Sequence, residues 1–224
     1  MSEVSLVGMT TPSASTGCRT AAELVAYAAR VSNPDNQNNT KTAPGLLRYL
    51  IKHGHWSPFE VVSVTMEIKT TRDIARQILR HRSFSFQEFS QRYAVSEEFV
   101  RRETRLQDLQ NRQNSIEIGE EIEARQTAEE WNMKQAKLIN LVKENYKWAL
   151  EKGIAKEQAR AILPEGNTMS TLYMAGTLRS WIHYCELRRA NGTQKEHMLV
   201  ADKCWDVLET HFKDVVKAVE SASE

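Results

Sequence analysis

Arg80-His81-Arg82-Ser83-Phe84-Ser85-Phe86-Gln87-Glu88-Phe89-Ser90-Gln91-Arg92-Tyr93 is where this chain concentrates groups able to do chemistry. Three arginines, a histidine, a glutamate and three serines alternate there with aromatic rings, a mixture suited neither to a core nor to a plainly solvated face. Guanidinium forks bond phosphate oxygens in pairs, so the chemistry indicated is the holding of an anionic ligand. A plainer reading stands beside it: Arg and His at a helix C-terminus also complement the helix dipole. No base lies near Ser90 in sequence, which argues against a nucleophile there.

The element that delivers this stretch favours the ligand reading. Thr71 is a plausible N-cap with Asp73 in the first turn, and Ile74, Ala75, Ile78 and Leu79 follow at helical spacing. Arg72, Arg76 and Arg80 form a row on the other side. Like charges at this spacing repel by a few tenths of a kcal/mol per pair, and an anionic ligand would remove that cost. Before the helix, residues 61–69 read as the clearest strand of the chain, with Val62, Val64, Met66 and Ile68 facing the core. Strand, helix and arginine-rich segment are therefore continuous.

The remaining elements frame this unit. A first strand runs through Val4 and Leu6, and a helix starts at Thr20 with Glu23 as a capping box and Leu24, Tyr27, Ala28 and Val31 on one stripe. A second helix covers about 43–53 with Leu46, Leu47, Leu50 and Ile51. His53 and His55 occupy the following turn, where no further Cys or His stands at ligand spacing, so no metal site is expected. Residues 96–118 mix five acidic with four basic side chains and read either as a mobile lid or as a solvated loop. A long helix follows over about 120–152, with Trp131, Leu138, Val142, Asn145 and Ala149 on one stripe, and a shorter one over 154–163. Arg160 stands in the latter among alanines, facing either a structural carboxylate or a ligand. Most of 169–189 reads as helix, and 193–218 as a last helix whose stripe from Ala201 to Val216 is core or subunit interface.

The chain as a whole excludes several classes. Its 224 residues carry 30 Lys and Arg against 29 Asp and Glu, and a net charge of +1 argues against a generally basic polyanion binder. Three scattered cysteines do not make a disulfide scaffold. No signal segment and no apolar run near the ~20 residues of a membrane span is present, so a soluble cytosolic protein is expected. Neither glycine-rich phosphate loop occurs, which leaves the arginines to hold any nucleotide. Two rivals are a single-strand nucleic-acid binder that uses Arg72, Arg76, Arg80 and Arg82 with Phe84, Phe86 and Phe89 for stacking, and a histidine-based metallohydrolase.

Arg80-His81-Arg82, seven residues, then Ser90 matches the RHR-x7-S signature of the flavin-dependent thymidylate synthases, and Gln77, Glu88, Arg92 and Tyr93 fit around it. The chain also resembles that family at Ala28-Ala29-Arg30-Val31-Ser32, from His53 to Glu60, at Ala159-Arg160 with Leu163-Pro164, and at Leu187-Arg188, most closely its viral or phage members. The resemblance implies one α+β domain over residues 1–224, a small antiparallel sheet packed against a mostly helical shell. It implies reductive methylation of dUMP to dTMP with 5,10-methylenetetrahydrofolate, FAD and NADPH, in a cytoplasmic homotetramer of the producing or infected host cell whose sites draw on several subunits, with no nucleic-acid or membrane partner. Carried onto this sequence, Gln77, Arg80, Glu88, Phe89, Ser90, Gln91, Arg92, Arg160 and Arg188 contact dUMP. Ser32, Ser57, Arg80, His81, Arg82, Glu88, Thr177, Leu178, Arg179 and His183 surround FAD. Ser57 and His183 stand where other members often have Thr and Asn, and Gln87 replaces a commoner Asn. Arg188 is the expected catalytic residue, placed against the uracil edge to stabilise charge developing on the ring. His55 either orients substrate or folate or is a turn histidine bonded to backbone. No cysteine nucleophile is implied.

Overall fold

The computed structural model describes residues 2–223. Its strands in chain order are β1 (Glu3–Met9), β2 (Ser63–Thr71), β3 (Phe84–Glu88), β4 (Arg105–Gln107), β5 (Ser115–Glu117) and β6 (Met169–Thr177). The helices are α1 (Ala21–Ala29), α2 (Ala43–Lys52), α3 (Arg72–Ile78), α4 (Ile122–Glu151), α5 (Lys156–Ala159), α6 (Leu178–Arg189), α7 (Lys195–His211) and α8 (Lys213–Ser223). Four strands form an antiparallel sheet in the order β1-β2-β6-β3, and β4 and β5 make a separate two-stranded ribbon. The result is the small antiparallel sheet within a mostly helical shell that the family resemblance implies.

β2 is the sheet's anchor. Val62, Val64, Met66 and Ile68 have no accessible surface, and burying side chains of this size contributes roughly 1.5–3 kcal/mol each. The Trp181 indole on α6 donates to the Val64 carbonyl at 3.0 Å, which locks helix to strand. At the N-terminus of α1, Thr20 Oγ1 accepts the Glu23 N–H at 3.1 Å. Glu23 turns its carboxylate to the Arg19 N–H at 2.6 Å and leaves the box unclosed. That backbone bond holds its carboxyl below its usual range.

Several expectations are corrected. Most of 169–189 was expected to be helix, yet Met169–Thr177 is the strand β6, paired with β2 along its whole length from Ser63↔Thr177 to Thr71↔Met169. Ser170, Leu172 and Met174 are buried in alternation, a period of two that the shorter apolar run hid. The helix starts only where the Thr177 hydroxyl caps the Ser180 N–H at 3.2 Å. Phe84–Glu88, within the arginine-rich stretch, is a strand as well, paired with β6 from Phe84↔Gly176 to Glu88↔Leu172. Gly176 is required there: a Cβ on it would stand 2.4 Å from Phe84 Cδ1.

Helix faces and ends also differ. α1 buries Ala21, Ala22, Val25 and Ala26 and leaves Val31 exposed, because small residues let it lie close to α2 and to the 3-10 turn Ser57–Val61. α4 buries Gln135, Ile139, Val142, Tyr146 and Ala149, while Trp131 and Leu138 of the expected stripe stand at 48% and 44% exposure. This helix packs on α5, Leu163 and Phe99 and not on the main core. The 154–163 helix is only α5 followed by a 3-10 turn, Arg160–Ile162. The last helix breaks at Phe212 into α7 and α8, which brings α8 against α2. Its stripe from Ala201 to Val216 belongs to the core. Among the described residues no helix is long and apolar enough to cross a membrane.

Candidate active site

β2 runs directly into α3, a turn, and β3, so the arginine-rich stretch is held from both sides by the sheet. Its row of arginines is only partly free. Arg72 pairs with Glu88 at 3.3 Å and Arg76 with Glu165 at 2.5 Å, so internal carboxylates already offset the repulsion expected to call for a ligand. Thr71 precedes the helix but does not cap it through its side chain. Its hydroxyl bonds Asp73 Oδ1 at 2.6 Å instead. Among the described residues the side chains of Arg80, Arg82 and Arg160 make no hydrogen bond or ion pair. Of the arginines expected at the site, these three have guanidinium groups with no internal partner, whereas Arg92, Arg179 and Arg188 each have one.

The C-terminal turns of α3 and α6 meet. Arg188 Nε donates to His81 Nε2 at 2.9 Å, which makes Nε2 the unprotonated nitrogen of a neutral ring. Burial, then the Arg188 charge, lower the pKa of His81 to about 4. The His81 ring stands at 80° to Tyr184 with centroids 4.9 Å apart. Behind it Tyr184 Oη lies 3.1 Å from His197 Nε2, and His197 Nδ1 lies 3.2 Å from Gln77 Oε1. Gln77 Nε2 donates to Gln194 Oε1 at 2.7 Å. Tyr184, Gln194 and His197 were not singled out in the sequence. One signal was there: His197 continues the buried stripe of Ala201, Cys204 and Leu208 at helical spacing, and a histidine on an apolar stripe needs polar partners.

A second group forms at the turn after β3. Glu88 accepts from Ser170 Oγ at 2.8 Å besides its pairing with Arg72. Phe89 N–H donates to the Thr171 carbonyl at 2.8 Å, and the Ser90 carbonyl accepts the Tyr93 and Ala94 N–H groups at 3.1 Å each. Arg92 pairs with Glu157 at 3.2 Å, and Lys156 Nζ donates to the Tyr93 carbonyl at 2.9 Å. Those two contacts hold the segment bearing Arg160 against this turn. Gln91 Nε2 is buried with no hydrogen-bond partner, an orphan donor of the kind a ligand satisfies.

The third group surrounds the turn Ser57–Val61, which packs against α1, α6 and β6. Ser57 and Ser32 are exposed. Arg179 pairs with Glu60 of this turn, and the His183 ring lies 4.5 Å from Trp56. Thr177 caps α6, whereas the Leu178 side chain is wholly in the core and its N–H is spent on the Val62 carbonyl at 2.8 Å. His55 is exposed beside Tyr49, its N–H bonded to the Leu50 carbonyl at 2.8 Å. Among the described residues no bond or ring contact joins His55 or the Ser90 turn to the Arg188–His81 pair. The expected site residues thus fall at three places in this chain, the first and third of which share α6.

Other chemistries find less support. Cys185 and Cys204 have no accessible surface, and burial pushes both thiols well above their ordinary range, so neither supplies a thiolate at neutral pH. Among the described residues no cluster of His, Cys, Asp or Glu is placed to hold a metal ion. Phe84 and Phe86 of the stacking ridge pack against the core.

Comparison with known proteins places this geometry. The family model described as thymidylate synthase complementing protein matches residues 15–212. The chain is 55% identical over 205 residues to the probable flavin-dependent thymidylate synthase of Paramecium bursaria Chlorella virus 1, covering 91% of this chain and 93% of that one. It is 49% identical over 197 residues to the flavin-dependent thymidylate synthase of Synechocystis sp., covering 88% of each. Among solved structures, the UMP/dUMP methylase PolB from Streptomyces cacaoi bound with 5-Br dUMP aligns with a TM-score of 0.80 at 26% identity, over 99% of this chain and 95% of that chain. A family match across most of the chain, two near-full-length relatives of the same name and a shared fold make this chain a member of the flavin-dependent thymidylate synthase family.

Proposed function

We propose that this protein methylates dUMP to dTMP, taking the one-carbon unit from methylenetetrahydrofolate, with FAD as its flavin and NADPH as the reductant. The observation that carries the reading is the Arg188–His81 pair: the ring occupies Arg188 Nε and leaves the terminal N–H groups of the guanidinium for the uracil edge. There a fixed positive fork stabilises negative charge that develops on the ring. When bound, FAD supplies the hydride. The residues present fit such a group, since Arg80 and Arg82 carry no internal partner and suit its diphosphate. Ser57, Thr177, Arg179 and His183, at or near the Ser57–Val61 turn, and the exposed Ser32 are the further groups proposed to face the flavin. At the other group, Ser90, Arg92 and Arg160 hold the dUMP phosphate, and Gln91 offers its orphan amide. The 96–118 excursion acts as a lid, pinned at its base where Arg102 binds Asp73 at 2.5 Å.

Homotetramer formation brings the groups of neighbouring subunits into common sites. Two features support this. Among the described residues no bond or ring contact joins the Ser90 turn or His55 to the Arg188–His81 pair, and α4 exposes Trp131, Leu138, Leu141 and Trp148 on one side, a spacing that suits packing against a second helix.

Purified protein supplied with FAD is expected to be yellow, to bleach with NADPH faster when dUMP is present, and to form dTMP when the folate is added. A protein that never retains flavin would overturn the reading. The nucleic-acid alternative predicts a colourless protein with steeply salt-dependent binding to single strands.

A further inference from the structure

His197 lies behind the substrate end of α3 with no accessible surface, and its two nitrogens are both engaged. Gln77 Oε1 can only accept, so the His197 Nδ1 facing it at 3.2 Å carries the proton. In a neutral ring Nε2 is then the acceptor, and the Tyr184 hydroxyl at 3.1 Å donates to it. The same direction continues outward. Gln77 Nε2 donates to Gln194 Oε1 at 2.7 Å, and Gln194 Nε2 donates to Glu196 Oε2 at 2.8 Å. Glu196 also takes Arg102 at 3.3 Å and Arg105 at 2.5 Å. Every donor in this series points from Tyr184 toward the Glu196 carboxylate, so reversing one amide or one tautomer would set two donors or two acceptors face to face.

We propose that His197 is a positioning residue for the nucleotide: its Nδ1–H fixes the Gln77 carboxamide so that one amide N–H of set direction faces the substrate. This rests on the reading of Gln77 as a dUMP contact. Because the side chain of His197 is buried, it does not touch dUMP and acts on it through Gln77. The groups facing it are Tyr184 and Arg188 of α6, His81 after α3, Gln77 of α3 and, one position away on α7, Glu196. Burial, then Arg188 and His81, bring its pKa down to about 3, which keeps the single-proton ring the series needs.

The test uses flavin-loaded protein, with dUMP affinity from calorimetry and KM and kcat from steady-state turnover. Losing one neutral hydrogen bond on which a ligand contact depends weakens binding by about five- to tenfold. His197→Leu is therefore expected to raise both Kd and KM for dUMP to that extent, with kcat changed less than about threefold. His197→Asn keeps a donor near Nδ1 and is expected to recover most of the affinity. Tyr184→Phe frees the ring to take the opposite tautomer and is expected to weaken dUMP by roughly threefold without contacting it. Should His197→Leu fail to fold, the Asn and Phe variants decide the matter on their own. The proposal is overturned if Gln77→Leu weakens dUMP while neither His197→Leu nor Tyr184→Phe does, or if His197→Asn is as poor as His197→Leu. Unchanged dUMP affinity in Gln77→Leu overturns it on separate ground, since Gln77 is then no substrate contact.

Discussion

Arg188 donates through Nε to the unprotonated Nε2 of His81 at 2.9 Å, across 107 positions of chain. The bond joins the end of α6 to the turn after α3. It uses the one guanidinium N–H that does not belong to the terminal fork, so orientation of Arg188 and its availability to a substrate do not compete.

Arg188→Ala should leave flavin bound while dUMP turnover falls by roughly 10²–10³, the usual cost of removing a fixed group that stabilises developing charge. Arg188→Lys should restore little, because a single ammonium cannot bond His81 and present a planar fork at once. Visible absorbance reports the flavin and product formation the turnover; unchanged turnover in Arg188→Ala would remove the catalytic assignment.

Stability should fall on mild acidification. An unfolded histidine titrates near ~6.5, whereas folded His81 does so at about 4 and folded His197 at about 3. Above the unfolded value both states are neutral and nothing is contributed. Between it and the folded values the unfolded chain binds protons that the folded one does not, so stability declines as pH drops and levels off below them. Buried His197 contributes more than half-buried His81, which water screens. Melting temperatures from pH 7 to 5, followed by circular dichroism, should fall less steeply in a His81→Asn/His197→Asn double variant, and parallel slopes would contradict this account.

Gly176→Ala should destabilise the protein by about 1–3 kcal/mol, the range for overpacking a filled site, because the new methyl would meet the Phe84 ring. Pairing the change with Phe84→Leu should recover part of the loss in urea unfolding. Full stability of the single variant would show that β3 can shift away from β6.

Leu138→Glu with Leu141→Glu changes side chains that are 44% and 54% exposed in the single chain. If α4 packs against a neighbouring copy, the double variant should sediment as a smaller species and lose activity while its circular dichroism stays that of the native fold. An unaltered assembly would exclude this face from the interface.

Arg102 ties the 96–118 excursion to Thr71, Asp73 and the Gly166 carbonyl at 2.5–2.8 Å. Arg102→Ala should speed amide exchange across residues 103–118 well beyond its effect on β2. Equal exchange would mean that the ribbon is held by other contacts.

Much of the fold was legible in the sequence where one local signal dominates. The β-branched alternation of β2 and the leucine spacing of α2 each name their element, and the apolar stripe of 201–216 names helix and core but not the break at Phe212. β6 and β3 escaped because Met169–Thr177 mixes strand and helix formers and the serines and phenylalanines of β3 look like ligand chemistry. Only pairing across the sheet, with Gly176 under Phe84, settles them. The arginine row misled for a related reason: spacing shows that charges are neighbours but not that Glu88 and Glu165 fold back to meet two of them.

By itself, then, the sequence determined the family and the residue types proposed to hold the nucleotide, since the signature from Arg80 to Arg92 is contiguous and its chemistry is that of its side chains. The tertiary structure decided which of these groups are free and which partners orient them. Arg188 on His81, and Gln77 on His197, are contacts between elements far apart in the chain, set by how α6 and α7 pack against α3 and by the cost of burying a polar group without a partner. No spacing along the chain encodes that packing.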